Sequence, residues 1–213
     1  MITVACLLWG DWPVEAVYKL KQGVSRHLNG FRFVCLTDRD VPGVETLPIG
    51  VDWPRNLKKM ALYRPGLFKG RVLALDLDTV ITGSLEDIAA YDGPFCVIED
   101  FYDGNGLCGG GVIGFEADNV HLFRNLYLPV AHDPEAAALL CAGGSERYWF
   151  RRQFADMPFA PDFWQRVCPS QVVSAKPERT LIREVLENAR MVCFHGKQKP
   201  WNSNAPWIAE HWI

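Results

Sequence analysis

Two aspartates close an apolar run in RVLALDLDTVITGSL, residues 71–85. Val72–Leu75 reads as a buried strand, and Asp76 and Asp78 follow with only Leu77 between them. Side chains two apart on a strand project to one face, so a strand running on through Asp78 points both carboxylates the same way. Like charges so placed destabilise each other unless a cation stands near them. A buried carboxylate without a partner is costly in any case. The chemistry that suits the pattern is a hard-oxygen site for a divalent ion, Mg2+ or Mn2+. The same residues also read as a strand-end turn satisfied by backbone N–H groups, and an Asp-x-Asp alone does not choose between the two.

A second group of chemically capable residues lies far downstream, in MVCFHGKQKPW, residues 191–201. Another apolar run ends in His195-Gly196, and Lys197, Lys199 and Trp201 follow. Taken singly, His195 is an ordinary surface or capped histidine and the lysines belong to a solvated loop. Taken together they are a strand-end imidazole, a glycine that admits close backbone approach, and two flexible cations. Imidazole suits a transition ion such as Mn2+, and a lysine ammonium serves phosphate as a point charge.

The elements that must carry these residues alternate between strand and helix. Ile2–Leu8 is a short apolar run of the kind buried on both faces of a sheet. Val14, Val17, Leu20, Val24 and Leu28 recur at helical spacing after Pro13, Gly30 closes the segment, and 31–38 reads as a second strand. Strand, helix and strand in such close succession predict a parallel crossover. After a Pro/Gly-rich connection at 41–54, residues 56–68 read as helical with a break at Pro65-Gly66, and 71–75 returns to strand. Ser84 is a candidate N-cap for a short helix over 85–90. Strands are predicted at 95–99 and 109–115, with Asp118 capping a helix that runs to Leu128. Helices over 135–141 and 146–154 flank Gly143-Gly144. A strand at 171–176, a helix at 177–189 with Pro177 in its first turn, and a strand at 191–196 complete the pattern. No repeat, low-complexity tract or linker interrupts it, so one α/β domain over 1–213 is expected. Ligands of open α/β sheets gather outside the carboxyl ends of strands, where both groups of residues fall.

The bulk numbers remove several function classes. With 213 residues, 49% hydrophobic and 22% charged, the chain suits a soluble globular protein. A formal net charge of −3 leaves no broad basic surface, which argues against nucleic acid as a partner. Ile2–Trp9 lacks the basic leader of a signal peptide, and no run approaches the ~18 apolar residues of a transmembrane segment. The seven cysteines are odd in number and scattered, with no Cys-x-x-Cys pair. Free core thiols in a reducing cytoplasm are expected, and a zinc site is not. No basic amphipathic stretch follows residue 201, so a cytoplasmic protein that does not dock on membranes is expected.

The pair LALDLDTVITGSLEDI and CFHGKQKPWN, preceded by NLKKMALYRPGLF at 56–68, resembles the nucleotide-sugar glycosyltransferases of the GT-A fold. Within them the likeness is greatest to the retaining, glycogenin-like family 8, and it runs through most of the chain in order. The resemblance implies an α/β fold with a Rossmann-type mixed, mostly parallel sheet flanked by helices. It implies transfer of a sugar from a nucleotide-sugar donor, a UDP-sugar, to an acceptor that is a glycan, a lipid-linked molecule or a small molecule. By the same resemblance Asp76, Asp78 and His195 hold Mn2+ (or Mg2+) against the diphosphate. Lys199 neutralises the remaining diphosphate charge, and Gly196 lets the backbone come close. Lys59, rather than Lys58, faces the donor. Leu8 and Trp9 end the first strand where the nucleoside binds, with Trp9 or Trp12 available to stack on the base. Trp201 packs the C-terminal loop.

The departures are as specific as the likeness. Where the family shows Asn-Ser-Gly before its Gly-Val strand, this chain has Gly109-Gly110-Gly111. Polar contacts there must come from elsewhere, Asn105 or Asp103 being the nearest in sequence. The family's Asp-Gln pair on a later helix is replaced by Ser145-Glu146, leaving Glu146 as the acidic group to steady the transition state or position an acceptor hydroxyl. Glycine follows His195 directly, a shorter spacing than the family's. Two other functions stay open on the sequence. One is a phosphatase of the haloacid dehalogenase type, with Asp76-Leu77-Asp78-Thr79-Val80 as its nucleophile strand, although that strand normally opens the chain. The other is a non-catalytic nucleotide-sugar binding module, to which the glycines at 109–110 point.

Overall fold

The computed structural model describes residues 1–101, 107–141, 145–176 and 183–213. Asp103, Asn105 and Pro177 lie outside them. The chain opens with β1 (Ile2–Leu8), the helix Val14–His27 and β2 (Phe31–Thr37), as the sequence predicts. Short β3 (Glu45–Leu47) is followed by β4 (Arg71–Leu75), β5 (Thr79–Ile81), β6 (Phe95–Glu99) and β7 (Cys108–Glu116). Last come β8 (Asp162–Phe163), β9 (Val172–Ser174) and β10 (Met191–Cys193). Seven strands form one sheet in the order β3-β2-β1-β4-β7-β6-β8, and β5-β10-β9 form a second. In the larger sheet only β7 runs against its neighbours, β4 and β6. The result is the mixed, mostly parallel sheet flanked by helices that the resemblance implies.

The inner strands read as unbroken apolar runs because both of their faces are covered. Val72 and Ala74 of β4 join Ala5, Leu7, Val34 and Leu36 in one core, packed on Leu57 and Met60. Leu73 and Leu75 join Val4, Cys6 and Leu8 in the other, packed on Val17, Leu20 and Val24 of the first helix. Period-two alternation thus feeds two cores from one strand. All seven cysteines are buried, and none forms a disulfide among the described residues.

The structure departs from the sequence reading where an element ends or changes partner. The strand does not continue through Asp78. β4 stops at Leu75, and Asp76–Thr79 is a turn in which the Thr79 N–H donates to the Asp76 carbonyl at 3.0 Å. The β-branched run after it then enters the other sheet as β5, antiparallel to β10. The segment predicted as a helix over 56–68 is a 3-10 helix, Arg55–Tyr63, and it stops because Arg64, preceding Pro65, is extended. Asn119, not Asp118, caps the next helix, its side chain accepting the His121 N–H. That helical path continues past Leu128 to His132 through a π-helical segment, Phe123–Tyr127. Ser84 does accept the Glu86 N–H, at 3.3 Å, but the helix it introduces is a single turn, Glu86–Ala89. Among the described residues no helix is long and apolar enough to cross a membrane.

Candidate active site

At the carboxyl ends of β1 and β4, a cavity of about 260 Å3 brings together Lys59, Asp76, Asp78, Glu146, His195 and Lys199. Trp9, Trp12, Asn56 and Gly196 are among the other residues of its wall. A second cavity, about 440 Å3, opens over Gly109-Gly110-Gly111; it shares Asp76, Glu146 and His195 with the first and adds Asp100, Phe101 and Arg147. A third, about 530 Å3, lies beyond Trp9 and is lined by Leu8, Asp38, Arg39, Asp52 and Lys58 among others.

The Asp76–Thr79 turn does what a continued strand was expected to do. The Asp76 N–H donates to the Gly111 carbonyl at 2.8 Å, extending the β4–β7 pairing one residue past the strand. The Asp78 carbonyl accepts the Phe194 N–H at 3.3 Å, which ties it to the exit of β10. Each carboxylate therefore enters the same cavity from a different sheet. Gly196, at φ 76°, takes the left-handed conformation that turns the chain back toward Asp78.

Charge in the cavity is arranged around two lysines in unlike settings. Lys59 is 3% exposed. Its Nζ lies 2.8 Å from Asp76, donates to the Gly110 carbonyl at 3.1 Å and approaches Glu146 Oε1 to 3.4 Å. In a 3-10 helix residues three apart eclipse, so Asn56 shares an edge with Lys59. Its Nδ2 donates to Glu146 Oε2 at 2.6 Å, and both oxygens of Glu146 are thereby engaged. Lys199, on the segment after β10, donates to Asp78 Oδ2, and its ammonium lies 4.9 Å from the centre of the Trp12 ring.

Burial alone would lower the pKa of Lys59, but the charges of Asp76 and Glu146 outweigh it and hold the ammonium above its ordinary value. Burial raises Asp76 despite Lys59 beside it. Asp78 is pushed up to about 6 by burial and by the charge of Asp76, against the pull of Lys199. The two lysines thus leave the carboxylate pair short of positive charge.

His195 faces the same cavity, with Nε2 2.6 Å from Ser174 Oγ and its ring stacked 5.6 Å from Phe101. Among the described residues, no three His, Cys, Asp or Glu side chains converge into a ready-made metal cage. The remaining sequence candidates separate clearly. Lys58 pairs with Asp52 at 2.6 Å, away from the carboxylate pair that Lys59 contacts. Leu8 is buried at the edge of the third cavity, and Trp9 borders both that cavity and the charged one. Trp201 packs edge-on against Trp12, ring centres 5.5 Å apart.

The glycine run at 109–111 has a positive use. A Cβ on Gly110 would sit 3.0 Å from Glu146 Cγ and 3.3 Å from Lys59 Nζ, so its absence makes room for both. The polar groups above that strand are supplied by Glu146 and Asn56. Sequence reasoning missed Asn56, Ser174, Phe101 and the Asp100–Arg147 ion pair. Only Asn56 left a signal, its three-residue offset from Lys59. Chemically, the cavity can accept a divalent cation on its carboxylates and an anion against its ammonium groups.

No family model and no curated protein matches the sequence. Solved structures of glycosyltransferases do match. GlyE of Streptococcus pneumoniae TIGR4 aligns at 15% identity and TM-score 0.68, over 99% of this chain and 58% of that one. The bifunctional WbbM aligns at 13% and 0.65, over 98% and 50%. The galactosyltransferase LgtC, solved with donor and acceptor sugar analogs, aligns at 11% and 0.56, over 95% and 90%. The chain therefore spans little more than half of GlyE and half of WbbM, but nine-tenths of LgtC. At such identities the likeness is one of architecture: the chain has the GT-A-like fold of these glycosyltransferases.

Proposed function

We propose that this chain is a glycosyltransferase of the glycogenin-like kind. It moves a sugar from a nucleoside-diphosphate sugar, a UDP-sugar, to an acceptor hydroxyl, with a divalent cation and with retention at the anomeric carbon. The observation that carries the reading is the meeting of Asp76, Asp78, Lys59, Glu146, His195 and Lys199 in one cavity from distant parts of the sequence. The fold of its structural neighbours supports it.

Two carboxylates and an imidazole are a donor set that suits Mn2+ or Mg2+. The raised pKa of Asp78 fits a pair that still calls for positive charge. Asp76, Asp78 and His195 would hold the ion, which when bound supplies Lewis-acid stabilisation of the diphosphate. The rest falls to the chain's own residues. As the bond from the anomeric carbon to the diphosphate breaks, its electron pair moves to the leaving phosphate oxygen, and Lys199 and Lys59 offset that charge. Glu146, held by Asn56 and Lys59, steadies the positive charge left on the sugar. The acceptor oxygen forms the new bond, and its proton passes to the departing phosphate, so no separate general acid is needed. The nucleoside is assigned to the cavity beside Trp9 and Leu8, and the sugar to the cavity over the glycines. Seven buried cysteines with no disulfide among the described residues fit a reducing compartment, the cytoplasm.

The test is turnover of a panel of UDP- and GDP-sugars beside a generic phosphate ester, with and without Mn2+. Mn2+-dependent consumption of a UDP-sugar is expected. Ester hydrolysis without sugar-nucleotide turnover would make the protein a phosphatase. Tight donor binding with no turnover across an acceptor screen would make it a binding module.

A further inference from the structure

We infer that Lys199 is an internal counter-ion of Asp78, which a divalent cation displaces weakly on its own and readily when a diphosphate is there to receive the ammonium. The inference rests on the reading of the cavity as a metal-dependent donor site. The Asp78 carboxylate is 4% exposed, and among the described residues the side chain bonded to it is Lys199. A cation that uses Asp78 must therefore displace this ammonium or share the carboxylate with it.

The two lysines of the cavity are built differently for such an exchange. Lys59 is enclosed, and Asp76, Glu146 and the Gly110 carbonyl hold it from three sides. Among the described residues Lys199 has one carboxylate partner, and it rests on the face of Trp12. Its backbone is fixed: the Lys199 N–H donates to Asn202 Oδ1 at 2.6 Å, and the 3-10 turn Pro200–Asn202 follows at once. Exchange thus moves a flexible four-carbon stem and leaves the segment in place. A cation arriving alone strips Lys199 of its partner. A cation arriving with a diphosphate gives the released ammonium a new one. Metal and nucleotide consequently bind with positive coupling, each weak without the other.

The experiment titrates Mn2+ into the protein, reading free Mn2+ by electron paramagnetic resonance, without nucleotide and with UDP present. Lys199→Met is compared with wild type and with the charge-preserving Lys199→Arg. In the absence of UDP, Lys199→Met is expected to bind Mn2+ about five- to tenfold more tightly, the scale of one charge-assisted contact. Its gain in Mn2+ affinity on adding UDP is expected to shrink, and Lys199→Arg to follow wild type. Equal or weaker Mn2+ binding by Lys199→Met, while wild type still shows UDP-coupled uptake, overturns the counter-ion role alone. No Mn2+ uptake by wild type with or without UDP overturns the metal-dependent reading and this inference with it. A measurement on wild type needs no variant: acylation of Lys199, followed by mass spectrometry, rises as Mg2+ alone is raised to saturation and falls again with UDP. Labelling indifferent to Mg2+ rejects the exchange.

Discussion

Burying one carboxylate beside another sets a pH window on stability. Asp78 titrates at about 6 in the fold, above the ordinary ~3.9 of an unfolded aspartate. The native state binds that proton more tightly, so the stability it contributes is complete below pH ~3.9 and is lost as pH rises through 6. Between those limits the group withdraws on the order of 3 kcal/mol in divalent-free buffer. Asp78→Asn cannot titrate and is expected to lose correspondingly less, as urea melts across the window in EDTA would show. Parallel pH profiles for the two proteins would sink the assignment. At the same scale, Gly110→Ala pushes Glu146 and Lys59 aside by a few tenths of an ångström. Turnover is expected to fall about tenfold, because reacting groups tolerate little misplacement. The melting temperature should stay within a few degrees; a large drop would mean that the glycine serves folding and not the site. Glu146→Ala removes the acidic group itself, and a loss of about 100-fold or more in kcat with little change in UDP affinity is expected.

Among the elements, β1, β2, β4 and the first helix were legible because their local patterns and their burial agree. Val72 to Leu75 is apolar at every position since both faces of β4 are covered. The turn at Asp76 was not legible. Thr79-Val80-Ile81 continues the β-propensity of the strand before it, and nothing local says that the run pairs with Met191–Cys193 in another sheet. The π-helical segment at Phe123–Tyr127 and the short β3 likewise answer to packing and pairing partners and not to their own residues. β7 carries a constraint that only the fold reveals. A Cβ on Gly114 would lie 2.7 Å from the buried ring of Trp164, whose Nε1 donates to the Val112 carbonyl at 3.1 Å. Gly114→Ala must shift ring or strand, and a destabilisation of about 1–3 kcal/mol in chemical denaturation is expected. Wild-type stability in that variant would show that the Trp164 pocket yields freely.

For the whole molecule, the candidate site was legible as residue types and far less as contacts. Asp76, Asp78, His195 and Lys199 announced themselves by chemistry at strand ends. Asn56 and Glu146 meet across ninety positions of sequence, and no local pattern reports such a contact. The turn between the aspartates is also the place where the two sheets join. Asp76 hangs from Gly111 of the larger sheet, and the Asp78 carbonyl from Phe194 beside the smaller. Anything that grips both carboxylates is therefore a clasp across a seam. Its closing should slow hydrogen exchange along β9, β10 and residues 194–199, well beyond the atoms it touches. Mass spectrometry with and without Mn2+ and UDP reads this directly, and protection confined to the turn would count against it. The two-residue step in the chain from Asp76 to Asp78 is then the shortest route by which events at a donor reach the C-terminal segment.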